Sequence, residues 1–166
     1  MKIAHNIVLT LAVCASLFAC SSHEESQFVG VWSNACQEEV DAVGIYDMFD
    51  TLTLVDDNTF VRKLTYVNLS NTDTIAKVVV RGMWQVNDSC LEMAYATDSI
   101  SVACDDAELN VAFYNDMATK INLANGELKK AHEQDETHGI KCAYANEKAI
   151  ISKSPTSSRE IYFRVK

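Results

Sequence analysis

Near its middle the chain reads Val78-Val79-Val80-Arg81-Gly82-Met83-Trp84-Gln85-Val86, and this stretch decides the fold class. Its even-numbered positions are all apolar or glycine, whereas its odd-numbered positions include the arginine and the glutamine. Because successive side chains of a β-strand point to opposite faces, this alternation predicts a strand with one buried face. Asn87-Asp88 then favours a turn before Leu91, Met93 and Tyr95, so we expect an antiparallel hairpin.

The same two-residue period recurs on both sides of this stretch. Leu52 and Leu54 share a face, Asp56-Asp57-Asn58 favours a turn, and Arg62 interrupts the apolar face of the next segment. That face is otherwise formed by Phe60, Leu64 and Tyr66. Later alternating segments contain Ile100 and Val102; Ile140, Cys142 and Tyr144; Ala149 to Ser152; and Ile161, Phe163 and Val165. Short strands with tight turns predict an antiparallel sheet that closes into a barrel or a sandwich.

One stretch departs from this period and predicts a helix, from about residue 106 to residue 132, inserted before the last strands. Apolar residues recur there at intervals of three and four, which places them on one stripe of a helix. They are Leu109, Ala112, Phe113, Met117, Ile121, Ala124, Leu128 and Ala131. Asp105 with Glu108 forms a capping-box pattern, and Lys129-Lys130 suits the C-terminal end of the helix dipole. Asn125-Gly126 favours a break or a kink.

The N-terminal segment is typical of a secretory signal. A lone basic residue, Lys2, precedes an apolar run from Ile7 to Ala19, which is shorter than the ~20 residues that span a bilayer. Leu17-Phe18-Ala19-Cys20 resembles the lipobox of bacterial lipoproteins, in which the chain is cut before a cysteine that carries lipid. We therefore expect residues 1–19 to be a signal peptide, residues 20–27 a tether lipidated on Cys20 with palmitate-type chains, and residues 28–166 a single domain.

Charge and composition limit the partners of the chain. It has 23 acidic and 14 basic residues, a net charge of -9, and removal of the signal takes away one lysine and no acid. Such a surface argues against nucleic acid and anionic headgroups as partners. Ser21 after Cys20 favours the outer membrane, by the pattern known for other Gram-negative lipoproteins. Display on the periplasmic or the surface face stays open.

The six cysteines have different expected fates. Cys14 leaves with the signal and Cys20 carries lipid, so four cysteines remain in an exported domain. Four cysteines suggest two disulfides, for which three connectivities exist, and buried free thiols are the alternative. The preferred pairs are Cys36 with Cys90 and Cys104 with Cys142. No C-x-x-C pair is present, so we expect no metal site.

Three short motifs lie in the predicted strands. They are Phe28-Val29-Gly30-Val31-Trp32, then Leu52-Thr53-Leu54-Val55-Asp56-Asp57-Asn58-Thr59-Phe60, then Gly82-Met83-Trp84-Gln85-Val86 followed by Leu91. Together they resemble the lipocalin-like lipoproteins common in Bacteroidetes, a calycin-type family. The resemblance implies that Trp32 closes one barrel end beneath a basic residue from a late strand, either Arg159 or Arg164. The inserted helix departs from the usual lipocalin order, in which a helix follows the eighth strand.

We therefore expect a mainly β protein: an antiparallel lipocalin-like barrel or half-barrel of about eight to nine strands with one inserted helix. Glycine before a large indole lets a neighbouring strand or ring approach, and tryptophan fills the end of a small barrel. The candidate ligand-binding or barrel-closing residues are Trp32, Trp84, Tyr66, Tyr95 and Phe163. The alternative is that both tryptophans are plain core residues.

The sequence contains no recognisable catalytic pattern. The G-x-S-x-G, G-x-x-x-x-G-K-[ST] and G-x-G-x-x-G motifs are absent. In the segment from His132 to His138 the second histidine lies six residues after the first, which a helix turns to another face, so we expect a charged, solvated helix end. We expect no catalytic residues, no cofactor and no metal.

These observations lead to one preferred function and one alternative. We expect a lipid-anchored envelope protein, not an enzyme, that binds a small apolar ligand in a cavity with few ionisable groups. The alternative is an envelope or surface adaptor that binds another protein through an edge strand or the helix.

Overall fold

The computed structural model describes residues 26–40, 43–87, 90–136, 138–141, 149–151 and 161–165. These ranges contain nine strands, a short 3-10 turn at Thr97–Ser99 and one long helix. The strands are β1 (Gly30–Val40), β2 (Gly44–Leu54), β3 (Thr59–Val67), β4 (Thr74–Asn87), β5 (Cys90–Tyr95), β6 (Ser101–Ala103), β7 (Ile140–Lys141), β8 (Ala149–Ile151) and β9 (Ile161–Arg164). The helix is α1 (Ala107–Glu133).

The strands form one antiparallel sheet in the order β7-β5-β4-β3-β2-β1-β9-β8. Strand β6 pairs with the first part of β4, and β5 pairs with its last part. The sheet curls into a half-barrel, and Cα atoms of its two end strands, β7 and β8, come within 8 Å of each other. The predicted mainly β, antiparallel fold with one inserted helix is therefore confirmed.

The alternation in β4 positions the core as predicted. Val78, Val80 and Trp84 are buried, whereas Met83 is exposed on the opposite face. A Cβ atom at Gly82 would lie 2.1 Å from the backbone oxygen of Ala94 and 2.6 Å from the Phe60 ring. Glycine at this position is therefore required by the close approach of a neighbouring strand and ring.

The β2–β3 hairpin also forms where the sequence predicts it. Leu54 pairs with Phe60 across a turn at residues 55–59. Asp57 Oδ1 accepts hydrogen bonds from Thr59 Oγ1 at 2.5 Å and from Thr59 N at 2.9 Å, and these bonds lower the pKa of Asp57. Asn58 adopts a φ of 64°, a conformation that asparagine tolerates better than most residues.

Helix α1 lies within one residue of its predicted bounds, but a different residue caps it. Asp106, not Asp105, is the N-cap, and its carboxylate accepts hydrogen bonds from the backbone N–H of Glu108 at 2.8 Å and of Leu109 at 3.0 Å. Those two residues follow Asp106 by two and three positions, the separation at which an N-cap side chain reaches free N–H groups. The buried residues of α1 all belong to the predicted stripe: Phe113, Met117, Ile121 and Ala131.

Of the predicted break or kink at Asn125-Gly126, the break is wrong, because α1 continues through this pair, and the kink stays a prediction. The Asn125 side chain accepts a hydrogen bond from Tyr95 N at 2.9 Å and donates one to Tyr95 O at 2.8 Å. It thus satisfies both backbone groups of the last residue of β5. This tertiary contact outweighs the weak helix propensity of the pair.

The core has two apolar clusters. The helix cluster lies between α1 and the concave face of the sheet and contains Val40, Met48, Leu64, Tyr66, Ala76, Val78, Val80, Phe113, Met117 and Ile121. The tryptophan cluster contains Phe28, Trp32, Leu52, Leu54, Phe60, Trp84, Leu91 and Tyr162. The helix therefore covers one part of the concave face, and the two tryptophans fill another.

The side chains of β9 that point inward are not the ones that its sequence pattern predicts. Trp32, which is fully buried, pairs with Arg164, whereas Ser33 pairs with Phe163. Directly opposed residues of an antiparallel pair share a face, so Arg164 and Tyr162 point inward. Phe163 is 59% exposed, and its predicted inward position is wrong.

Candidate functional site

A tryptophan and an arginine are stacked near the N-terminal end of β1. The guanidinium carbon of Arg164 lies 4.7 Å from the Trp32 ring centroid, within the range of a cation–π contact. Trp32 Nε1 donates to Phe28 O at 2.8 Å, and Arg164 Nη2 donates to Gln27 O and to Val29 O. The basic partner of Trp32 is therefore Arg164, and Arg159 lies outside the described residues.

Gly30 lies beside this stack. Its φ of +143° is a conformation that L side chains rarely adopt, and a Cβ atom there would lie 3.8 Å from the Arg164 guanidinium. The glycine two residues before Trp32 is therefore required by the backbone conformation, whereas a Cβ atom would make only an ordinary van der Waals contact with the arginine.

A cavity of about 160 Å³ lies between α1 and the concave face of the sheet. Its apolar walls are formed by Met48, Leu64, Met117, Ile121 and Ala124, and its polar groups belong to Glu38, Arg62, Tyr66, Tyr95 and Lys120. Two of the predicted ligand-binding residues, Tyr66 and Tyr95, line this cavity. Trp32, Trp84 and Phe163 do not.

One wall of the cavity includes Arg62, which forms an ion pair with the buried Asp50. Arg62 Nε and Nη2 donate to Asp50 Oδ2 at 2.9 and 2.6 Å, and Asp50 is 1% exposed. Arg62 Nη1 also donates to Tyr95 OH at 3.1 Å, and Arg62 Nη2 to Tyr162 OH at 3.1 Å. Tyr162 OH in turn donates to Asp50 Oδ2. The arginine that interrupts an apolar face in the sequence is therefore the centre of a buried polar cluster.

The charges in this cluster stabilise each other. Burial by itself would lower the pKa of Arg62, but the Asp50 carboxylate and the two tyrosines raise it well above its ordinary value. Asp50 Oδ1 is buried and has no hydrogen-bond partner among the residues that the structure describes. Arg62 lines the cavity and Asp50 does not, so the pair presents its cationic member to the cavity.

A second set of charges lies where α1 meets β1. Lys120 Nζ lies 2.5 Å from Glu38 Oε1 and 2.9 Å from Asp116 Oδ2. Burial lowers the pKa of Lys120, but these two carboxylates raise it further than burial lowers it. Burial, with smaller contributions from Glu38 and Asp116, also raises the pKa of Tyr66. The helix is thus held to the sheet by charge as well as by apolar contact.

The cavity differs in one respect from the expected one. Three of its lining residues, Glu38, Arg62 and Lys120, are acidic or basic and two more are tyrosines, so the expectation of few ionisable groups is wrong for it. Arg62 carried a sequence signal, as a basic residue at an apolar position of a strand. Glu38 and Lys120 carried none, because they are 82 positions apart and only the packing of α1 on the sheet brings them together.

The described residues include three of the four cysteines of the expected domain, Cys36, Cys90 and Cys104. Cys36 and Cys90 lie on β1 and β5 and are not bonded to each other, so that half of the preferred pairing is absent. Cys142 lies outside the described residues, and the Cys104–Cys142 pair stays a prediction. No group of three or more histidine, cysteine or carboxylate side chains is placed to hold a metal ion in the ranges described above.

Comparison with known proteins gives no family assignment. No family model matches the chain, and no curated protein matches its sequence. In the described part of the chain, no helix combines the length and the apolar character needed to cross a bilayer.

Proposed function

We propose that the protein is a lipid-anchored, lipocalin-like protein of the cell envelope that binds a small, largely apolar ligand without catalysis. The observation that carries this proposal is the cavity of about 160 Å³ between α1 and the sheet. An engineered apolar cavity of about 150 Å³ is known to hold benzene, so a ligand body of that size is expected here.

The chemistry of the walls supports the same class of ligand. Five of the ten lining residues are apolar, and two of them, Met48 and Met117, have flexible, polarisable side chains that adapt to different shapes. Arg62 and Tyr95 provide hydrogen-bond donors at one wall, which would orient a ligand that has one polar end.

The lipid anchor and the envelope location are supported by the sequence alone. We propose that residues 1–19 are removed, that Cys20 carries lipid, and that the domain is held at the outer membrane. Replacement of Cys20 by alanine should remove the mass of the acyl chains. A mature protein that begins at Cys20 and carries no acyl chains would contradict the anchor.

Ligand binding is tested with toluene and 1-hexanol, added to the mature chain labelled with ¹³C in its methionine methyl groups. We expect saturable shifts of Met48 and Met117, which line the cavity, and none of Met93, which does not. Ala124→Phe would fill the cavity and should abolish these shifts. Leu123→Phe, at a 63% exposed neighbouring position, is the matched control and should leave them unchanged. Equal shifts in both variants, or none in the native chain, would overturn the proposal.

The adaptor function remains the alternative. It is favoured by three exposed apolar residues of α1: Val111 (58%), Tyr114 (43%) and Leu123 (63%). Val111→Asp with Tyr114→Asp should then abolish a chemical cross-link to an envelope protein while leaving the fold intact. Retention of such a cross-link in this double variant would exclude the first two residues from the contact.

A further inference from the structure

A second, larger cavity lies beside the β4–β5 hairpin, at the face of these strands that carries Met83 and Gln85. It is a groove of about 340 Å³ between the C-terminal half of α1 and this face of the hairpin. It shares no lining residue with the cavity under α1. Its volume falls within the range of about 300–1,000 Å³ that is usual for small-molecule sites.

A buried carboxylate forms one wall of this groove. Glu92 is 1% exposed although it lies on this face of β5, opposite Gln85 of β4. Glu92 Oε2 accepts from Gln85 Nε2 at 2.7 Å and lies 2.9 Å from His132 Nε2, while Oε1 accepts from Asn87 Nδ2 at 3.2 Å. Burial raises the pKa of Glu92, but these hydrogen bonds outweigh burial and lower it, so the group is ionised near neutral pH.

The ionised carboxylate determines which atoms the neighbouring side chains turn toward the groove. A carboxylate only accepts hydrogen bonds, so Gln85 directs its amide nitrogen, and His132 directs a ring N–H, at Glu92. The atoms left over are Gln85 Oε1, which accepts hydrogen bonds, and His132 Nδ1, which accepts in the neutral imidazole and donates in the imidazolium. Asn58 is similar, because its Nδ2 donates to Trp84 O at 3.2 Å and leaves Oδ1 as the remaining atom. Gln85 and Asn58 therefore each offer an amide oxygen as an acceptor beside one remaining amide N–H, and His132 offers an acceptor in its neutral form.

The remaining lining provides an apolar surface. Met83 is 53% exposed on the floor of the groove, beside its strand partner Ala94, and Leu128 of α1 forms the facing wall. No lysine or arginine is among the described residues that line the groove. The chain as a whole carries a net charge of -9, which attracts cations to its surface.

We infer that this groove is a binding site for a small organic cation that has N–H donors at one end and an apolar or aromatic body at the other. The ammonium or guanidinium end donates to the acceptors around Glu92, and the body lies on Met83, Ala94 and Leu128. The inference goes beyond the proposed function and does not depend on it, because the two cavities are separate.

The test uses three probes of similar shape: 2-phenylethylammonium, 2-phenylethanol and 3-phenylpropionate. They are added to the mature chain with ¹³C-labelled methionine methyl groups, and Met83 reports the groove while Met48 and Met117 report the other cavity. We expect the ammonium probe to shift Met83 saturably, the alcohol to bind about tenfold more weakly, and the carboxylate to produce no saturable shift. Equal binding of the carboxylate, or no binding of the ammonium probe at millimolar concentration, would overturn the inference.

A pair of alanine-to-lysine variants separates the local charge from the net charge. Ala94→Lys places a cation at an exposed position that lines the groove, and Ala103→Lys makes the same change at an exposed position of β6. We expect Ala94→Lys to weaken ammonium binding about tenfold or more, and Ala103→Lys to leave it within about twofold. An equal effect of the two variants would mean that the groove does not bind the cation.

Discussion

Arg62→Met should destabilise the fold strongly, because it leaves a buried carboxylate without its main partner. Arg62 donates two hydrogen bonds to Asp50, and the Asp50 side chain is 1% exposed with one oxygen already unpaired within the described ranges. Removal of one member of a buried ion pair costs about 3–5 kcal/mol, and the 21% exposure of Arg62 favours the lower end. A loss of about 3 kcal/mol is a large part of the 5–15 kcal/mol that usually stabilises a domain.

The assay is urea unfolding followed by fluorescence of Trp32 and Trp84, both of which are buried. Arg81→Met, at an exposed position of β4, is the matched control and should change the free energy of unfolding by about 0.5 kcal/mol or less. In the double variant Arg62→Met with Asp50→Leu, the loss should be smaller than the sum of the single losses, since the unpaired charge is gone. Equal effects of Arg62→Met and Arg81→Met, or strict additivity in the double variant, would refute the reasoning.

Three further predictions concern local contacts. Gly82→Ala should lower the free energy of unfolding in urea by about 2 kcal/mol or more, because its Cβ atom would lie 2.1 Å from the backbone oxygen of Ala94. An unchanged urea midpoint would mean that β5 moves freely away from this atom. Asp106→Ala should cost about 1 kcal/mol in the same assay, whereas Asp105→Ala should cost close to nothing, and the reverse order would contradict the observed cap. The pKa of Glu92 is lower in the folded state than in the unfolded state, so Glu92 stabilises the fold above its unfolded pKa, and this stabilisation is lost as the pH falls through the folded pKa. The free energy of unfolding should therefore depend less on pH in Glu92→Gln than in the native chain. Identical pH profiles of the two proteins would exclude this contribution.

Local sequence patterns predicted most of the fold because residues that are close in the sequence favour a particular backbone conformation. The alternation at residues 78–86 predicted which face of β4 is buried, since the two-residue period of a strand is a property of the backbone. The stripe from Leu109 to Ala131 predicted α1 and its packed face, since residues three and four positions apart lie on the same side of a helix. The turn at Asp56-Asp57-Asn58 followed from side chains that bond their own backbone.

The failures occurred where distant parts of the chain compete with these local preferences. Asn125-Gly126 disfavours a helix by itself, but hydrogen bonds to Tyr95, thirty residues earlier, keep it helical. Strand β9 alternates apolar residues at Ile161, Phe163 and Val165, yet its pairing with β1 turns Tyr162 and Arg164 inward instead. A shift of one position reverses both faces of a strand, so the pairing partner decides the outcome.

The sequence by itself determined the antiparallel β fold, the helix and its buried stripe, and the presence of an arginine on an inward face. Only the tertiary structure decided what that arginine does, because Asp50, Tyr95 and Tyr162 are 12, 33 and 100 positions away from it. The groove around Glu92 and His132 was likewise invisible in the sequence, where His132 belongs to a charged helix end. Periodicity records which side of an element is apolar, whereas charge pairing across a core depends on which elements meet, and that is set by the packing of the whole chain.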